Sequence, residues 1–261
     1  MVKESSPYRR AVLGMPTGGV DRHLLRAAAE FARLLELELL GVFMEDPALF
    51  SLATLPFARE LRLPGHDWQA LDLQRMGEEL RAAADRERRL FEKELMAYGV
   101  ACRFEVHRGD SATLARHVAR ASDILIVEEP MEIDTLAAGG DPARLSLLSA
   151  ATILLVPRTG MPQGGPVAAV VADPSDPCLR IASRIAAATG EKALAVPSVD
   201  QPSTAALLGS LRLALGPRRE RLLVLPRQGI TSDGMLLEIA SQRRVPILVV
   251  GTAAHPVEGN A

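Results

Sequence analysis

Cysteine is almost absent. Cys102 and Cys178 are the two thiols in 261 residues, far apart and without CxxC or Cys/His ligand spacing. That excludes a disulfide framework and a zinc centre of ordinary spacing, and it points to isolated core thiols in a reducing compartment. Aromatics are scarce too, with one Trp, two Tyr and six Phe, too few to build base-stacking platforms for single-stranded nucleic acid. Neither sign of charge dominates: 30 Lys+Arg against 32 Asp+Glu leave a formal net charge of −2. No basic field draws nucleic acid or an anionic membrane. Long apolar runs are missing; Ile124–Val127 and Ile153–Val156 are typical, whereas a spanning helix needs about 18 residues. Met1–Arg10 is polar and lacks the apolar centre of a secretory leader. The expectation is a cytoplasmic protein with no membrane insertion and no nucleic-acid partner.

What the chain does have is a large apolar fraction, 48%, enough for one large or two small domains with their own cores. Short apolar runs alternate with amphipathic stretches. Arg9–Gly14 reads as a strand ending in the turn Met15–Gly19, and Asp21 opens a helix in which Leu24, Leu25, Ala28, Phe31, Ala32 and Leu35 recur at helical spacing. Leu37–Met44 reads as a strand. Residues 45–72 read as an apolar loop with a short helix, carrying Phe50, Phe57 and Trp68. Two roles compete for this loop: cover for the sheet edge packed by those aromatics, or a lid or partner surface. A long charged helix follows over Asp72–Tyr98, with Asp85–Arg89 and Arg88–Glu92 at i,i+4 spacing and Gly99 as its stop. Ala101–His107, Asp123–Val127 and Thr152–Val156 read as strands, with helices over Ser111–Ala121 and Pro142–Ala150. Apolar strands separated by helices argue for a parallel sheet covered on both faces.

Arg158–Gly165 is rich in Gly, Pro and polar residues and sets the expected boundary between a first domain, 1–160, and a shorter second one, 161–261. The pattern then restarts: strands at Val167–Ala172, Lys192–Val196, Arg221–Leu225 and Val245–Val250, and helices at Cys178–Thr189, Ser203–Leu215 and Ser232–Arg243. One strand–helix step is missing relative to the first domain. Val12–Pro47 and Val170–Pro202 both read strand, turn, helix, strand, proline, and Ala151–Gly160 is similar to Arg244–Ala253. Internal duplication is the expectation. The apolar runs Ile153–Val156 and Ile247–Val250 would template pairing if left open, so the halves are expected to join through them as a pseudo-dimer. Two chains are expected to associate further.

The opening RRAVLGMPTGGVDRHLLRAAAEFA, the strand LELLGVFMED, the stretch HRGDSATLARHVARASDILIV and the run ATILLVP together resemble the universal stress protein family, with Gly109, Ala121 and Asp123 at the family's positions. The resemblance covers most of residues 8–157 and, more faintly, 166–251. It implies a tandem of open, mostly parallel α/β sheets of the adenine-nucleotide-binding type. It also implies, in many members, ATP held by an acidic residue after the first strand and a G-x2-G-x9-G-[ST] segment after the fourth. Glycines let backbone N–H groups approach phosphates there, and a helix start adds positive potential.

This chain departs from that pattern. Pro16 stands at the acidic position of the first half, and the phosphate segment there carries Glu128, Glu129, Glu132 and Asp134. Like charges repel by about 1 kcal/mol per close pair even in water, so the first site is expected to be lost; Gly139 and Gly140 come too late to replace it. The second half keeps Asp173 and Ser175, followed after its penultimate strand by Arg227, Gly229, Thr231, Ser232 and Gly234. Those seven residues are the candidate ligand site, for ATP or AMP; the competing reading is a plain loop with Ser232 or Asp233 as helix cap. His23, His66, His107, His117 and His255 lack metal-ligand spacing and read as surface histidines. Ser111 reads as a cap. No metal site is expected.

The leading expectation is a non-enzymatic regulatory or scaffolding protein acting on an unknown protein partner. The alternative is an adenine-nucleotide binding module using the second half. A nucleotide hydrolase comes last, since it would need a phosphate loop that the sequence does not contain.

Overall fold

Residues 8–62, 67–109, 123–129, 152–198 and 203–251 are described by a computed structural model of the chain. The first half runs β1 (Arg10–Pro16), α1 (Arg22–Leu35), β2 (Glu38–Glu45), α2 (Pro47–Ala53), β3 (Arg59–Arg62), β4 (Asp67–Ala70), α3 (Leu73–Tyr98), β5 (Cys102–Arg108), β6 (Asp123–Glu128) and β7 (Thr152–Val156). The second runs β8 (Val167–Val171), α4 (Pro177–Thr189), β9 (Ala193–Pro197), α5 (Thr204–Leu215), β10 (Leu222–Pro226), a 3-10 turn (Arg227–Gly229), α6 (Asp233–Arg243) and β11 (Ile247–Val250). The expected helices Ser111–Ala121 and Pro142–Ala150, Glu132, Asp134, Gly139, Gly140, His66, His117 and His255 lie outside the described residues.

Helix starts follow their caps. Asp21, Asp72 and Asp176 accept from the backbone N–H two residues on, at 3.2, 2.9 and 2.8 Å, satisfying donors that the helix leaves open. Gly99 ends α3 at φ +65°, a conformation glycine adopts without strain. On α3, Asp85 meets its neighbours differently from the expected spacing. Its carboxylate lies 3.7 Å from Arg88, and its carbonyl accepts from Arg89 at 3.1 Å.

The nine large-sheet strands lie in the order β5-β2-β1-β6-β7-β11-β10-β8-β9, all neighbours parallel except β7 and β11. Two parallel runs therefore meet at one antiparallel seam, with Ile247 opposite Leu155, Leu248 opposite Leu154 and Val249 opposite Ile153. This is the edge pairing expected from the two apolar runs. Beside it, Tyr8 Oη and Thr152 Oγ1 are 2.9 Å apart, and Gly251 N donates to Thr152 Oγ1 at 3.0 Å. Burial pushes the Tyr8 hydroxyl up to about 12. Arg221 also ties the halves together, 2.5 Å from Glu30.

Strand residues alternate between cores, as a sheet covered on both faces requires. Leu13, Met15, Ile124, Leu154, Val167, Val224 and Leu248 face α1 and α4. Leu155, Ala168, Val170, Leu223, Leu225 and Val249 pack with α5 and α6. The missing step lies between β9 and β10, where α5 alone makes the crossing that α3 and β5 lengthen in the first half.

Residues 45–72 differ from the expected loop. The expected short helix is there as α2, but an antiparallel hairpin stands beyond it, with Leu61 opposite Trp68. Phe57 and Trp68 are 76% and 62% exposed, so they do not pack as an edge cover. Four-residue strands with mixed polarity carry little periodic signal, which hid the hairpin. Cys178 is buried as expected, while Cys102 is half-buried on the edge strand β5.

Candidate ligand crevices at the strand ends

In an open α/β sheet, ligands lie at the carboxyl ends of strands where neighbouring connections diverge. The sheet has two such points, between β1 and β6 and between β8 and β10.

At the second point a crevice of about 290 Å³, counting its open mouth, is lined by Val170, Ser198, Leu207, Leu225, Pro226, Gly229 and Ile230. Its space for a water-sized occupant is about 10 Å³, far below the roughly 300–1,000 Å³ of ligand pockets, so this one is small as well as apolar. Of the seven candidate residues, Gly229 lines it. Asp173 and Ser175 sit on the exposed turn after β8, where the Ser175 backbone N–H and hydroxyl both donate to Asp173 Oδ1, at 2.7 and 2.5 Å. Those bonds hold the Asp173 carboxyl below its ordinary range. Arg227 opens the 3-10 turn, half-buried, and burial pulls its guanidinium down from the usual value. Thr231 Oγ1 contacts Met235 Sδ at 3.6 Å, and Ser232 Oγ accepts from Met235 N at 3.2 Å as the cap of α6. Gly234 is exposed in the first turn of that helix. The hydroxyl of Ser232 thus caps its own helix, and the Asp173 carboxylate accepts from its own turn.

The first point is built from ions. Pro16 ends β1, and the turn after it closes with Gly19 N donating to Pro16 O at 3.0 Å. Gly19 has φ +90°, a backbone conformation that L side chains rarely adopt, so the turn requires glycine. Beyond the turn, His23 Nδ1 is 2.9 Å from Asp21 Oδ1. Its Nε2 is 3.2 Å from Glu128 Oε1, in an alignment that falls short of a hydrogen bond. Arg158 Nε lies 3.9 Å from the same oxygen. Bonds from the His23 backbone and side chain hold the Asp21 carboxyl low. Glu129 turns its N–H to Val156 O at 2.8 Å, and burial raises its carboxyl while Arg244 partly offsets that rise. Arg244 comes from the second half, because the antiparallel seam sets the amino end of β11 beside the carboxyl ends of β6 and β7.

Sequence reasoning missed this cluster. His23 read as a surface histidine, and the carboxylates read as unopposed. The signal that finds it is spatial: once β6 is placed beside β1, the Asp21-x-His23 turn must meet the end of β6.

A scan against known protein families matches none, and a search of curated proteins finds no match. Solved structures do match. A universal stress protein from Archaeoglobus fulgidus aligns with TM-score 0.60 at 12% identity, over 94% of this chain and 98% of that one. A putative universal stress protein from Pseudomonas aeruginosa aligns with TM-score 0.51 at 11% identity, over 95% of each chain. The cytoplasmic domain of a prokaryotic cation chloride cotransporter aligns with TM-score 0.51 at 11% identity, over 95% of this chain and 97% of that one. The fold is that of the universal stress proteins, in its α/β, mostly parallel form; at such identities the likeness defines the fold alone. Among the described residues no helix is long and apolar enough to cross a membrane, and no group of three or more His, Cys, Asp or Glu could hold a metal ion.

Proposed function

We propose that this chain is a non-enzymatic regulatory or scaffolding module, a tandem of universal-stress-type halves whose crevices do not hold a nucleoside triphosphate. One observation carries the reading. The second crevice is small and apolar, and of the candidate polar residues around it Asp173 and Ser232 are already bonded within their own turns. The first crevice adds support, because a triphosphate there would meet Glu128 and Glu129. The cotransporter's cytoplasmic domain fits the same picture, since it places a similar fold inside a larger protein. The partner in this reading is a protein.

The test is to denature gently purified protein, extract it, and identify any small molecule by mass spectrometry. An empty extract is expected, together with no thermal shift on adding ATP or AMP. An adenine nucleotide near one equivalent per chain overturns the reading.

A second reading is favoured by Gly229 lining the crevice with Asp173 and Arg227 on the flanking turns. An adenine nucleotide would lie with its apolar ring against Ile230 and its polar groups toward those turns. If calorimetry detects such binding, Asp173→Ala should weaken it about tenfold, the loss of roughly one charge-assisted hydrogen bond. Unchanged affinity removes Asp173 from the site. Turnover of ATP that disappears in Asp173 or Arg227 variants would promote the hydrolase reading instead.

A further inference from the structure

The two edges of the large sheet are unlike. β9 is five residues long, follows the exposed Lys192 and ends on Pro197, which are devices that blunt an edge against pairing. β5 is seven residues long, contains no proline, and exposes Arg103, Glu105, Val106, His107 and Arg108. Its charged side chains guard it against unselective pairing, so a partner strand must answer them in register, while among the described residues nothing pairs with its outer peptide groups.

Which peptide groups are open follows from the pairing with β2. Ala101 O accepts from Leu39 N at 2.9 Å, and Gly109 N donates to Glu45 O at 3.0 Å. In the parallel register that sets Leu39 opposite Cys102 and Glu45 opposite Arg108, the odd-numbered residues turn their N–H and C=O groups toward β2. Cys102, Phe104, Val106 and Arg108 therefore turn theirs outward. An antiparallel partner must set its own outward residues opposite these.

A second copy of β5 meets that condition in few registers, and charge separates them. Centring on Arg103 opposes two arginines. Centring on Glu105 opposes two glutamates. Centring on Val106 draws Arg108 into the pairing, although its guanidinium is already stacked 3.8 Å from the Phe50 ring of α2. Centring on Phe104 sets Arg103 opposite the partner's Glu105 twice, Cys102 opposite the partner's Val106 twice, and Phe104 opposite itself. Those charge pairs fall at the non-hydrogen-bonded positions, where side chains approach closest, with Cα atoms about 4.5 Å apart. Arg103 Nε also lies 2.8 Å from Glu38 Oε1 of its own chain and Glu105 Oε2 lies 3.1 Å from His107 Nε2, so the cross-strand pairs join charges that already have neighbours.

We propose that β5 is a homodimerisation edge, pairing antiparallel with β5 of a second copy about Phe104 and joining two sheets into one. The surface is distinct from both crevices, so this inference stands or falls independently of the proposed function.

The test uses the whole chain. Sedimentation across a concentration series is expected to show a monomer–dimer equilibrium below about 100 μM. Val106→Cys places a thiol opposite the partner's Cys102, at a hydrogen-bonded pair with Cα atoms about 5.5 Å apart, within disulfide reach. Treated with oxidised glutathione, that variant is expected to run as a covalent dimer, and adding Cys102→Ser should abolish the crosslink. Glu105→Arg should weaken association about tenfold, and Arg103→Glu with Glu105→Arg should restore it by rebuilding both pairs. Val106 and Glu105 are exposed, so folding is preserved, which an unchanged melting curve verifies. A wild-type chain that stays monomeric, a crosslink indifferent to Cys102, or a double swap that does not restore association overturns the proposal.

Discussion

At the carboxyl ends of β1 and β6 the chain sets a histidine between two carboxylates, with Arg158 arriving from just beyond β7. At the corresponding ends of β8 and β10 it sets valine, leucine and isoleucine around a shallow crevice. The two positions are equivalent in topology, each a place where strand connections diverge. They have been closed by opposite chemistry. The backbone thus offers a crevice twice, and side chains decide what each one becomes. The ionic end also depends on the seam, since Arg244, just before β11, lowers the Glu129 carboxyl from the second half.

Removing one wall from each end should give the largest contrast. Leu225 is 1% exposed in the second crevice, and Leu225→Ala should cost about 2–5 kcal/mol, lost transfer energy plus a cavity. Glu128 is partly exposed and paired at 3.2 and 3.9 Å. Glu128→Gln should cost under about 1 kcal/mol, because water and salt screen such pairs. Urea unfolding of both variants measures the difference. Equal costs would mean that the first end is packed rather than ionic.

The seam comes next. Thr152 is 1% exposed, and its Oγ1 accepts from the Gly251 N–H across the junction. Thr152→Val keeps the shape and removes a hydroxyl shared by the Gly251 N–H and the Tyr8 hydroxyl, which should cost about 1–3 kcal/mol for each of the two bonds lost in a buried place. Hydrogen exchange at Gly251 should speed up in the variant. Unchanged exchange would show that the Thr152 hydroxyl is not what holds the two runs together.

How far the sequence already displays this molecule differs between its parts. The seam was legible because Ile153–Val156 and Ile247–Val250 are short, wholly apolar runs, and an open edge of that kind needs a partner. The cap at Asp21, and one at Ser232 or Asp233, were legible because their signals are local. The hairpin was not, since Arg59–Arg62 and Asp67–Ala70 alternate too briefly and leave their apolar face in solvent. The His23 cluster was not legible either. It joins a helix start to the end of a strand far along the chain, and only strand order brings them together.

The smallest effect lies within the first end itself. Asp21 and Glu129 lie at the same sheet end, yet their carboxyls are shifted oppositely, Asp21 down through bonds from His23 and Glu129 up through burial. A carboxyl held low in the fold adds stability above its unfolded value, and loses it as pH falls through the folded one. A carboxyl held high does the reverse: its contribution is full below about 4.5 and disappears as pH rises through the folded value. At neutral pH Glu129 therefore opposes folding. Glu129→Gln should raise the urea midpoint at pH 7, by an amount within about 1 kcal/mol, and leave it unchanged near pH 3. A midpoint that falls at pH 7 would mean that Arg244 compensates the buried charge in full, making Glu129 and Arg244 a stabilising pair across the seam.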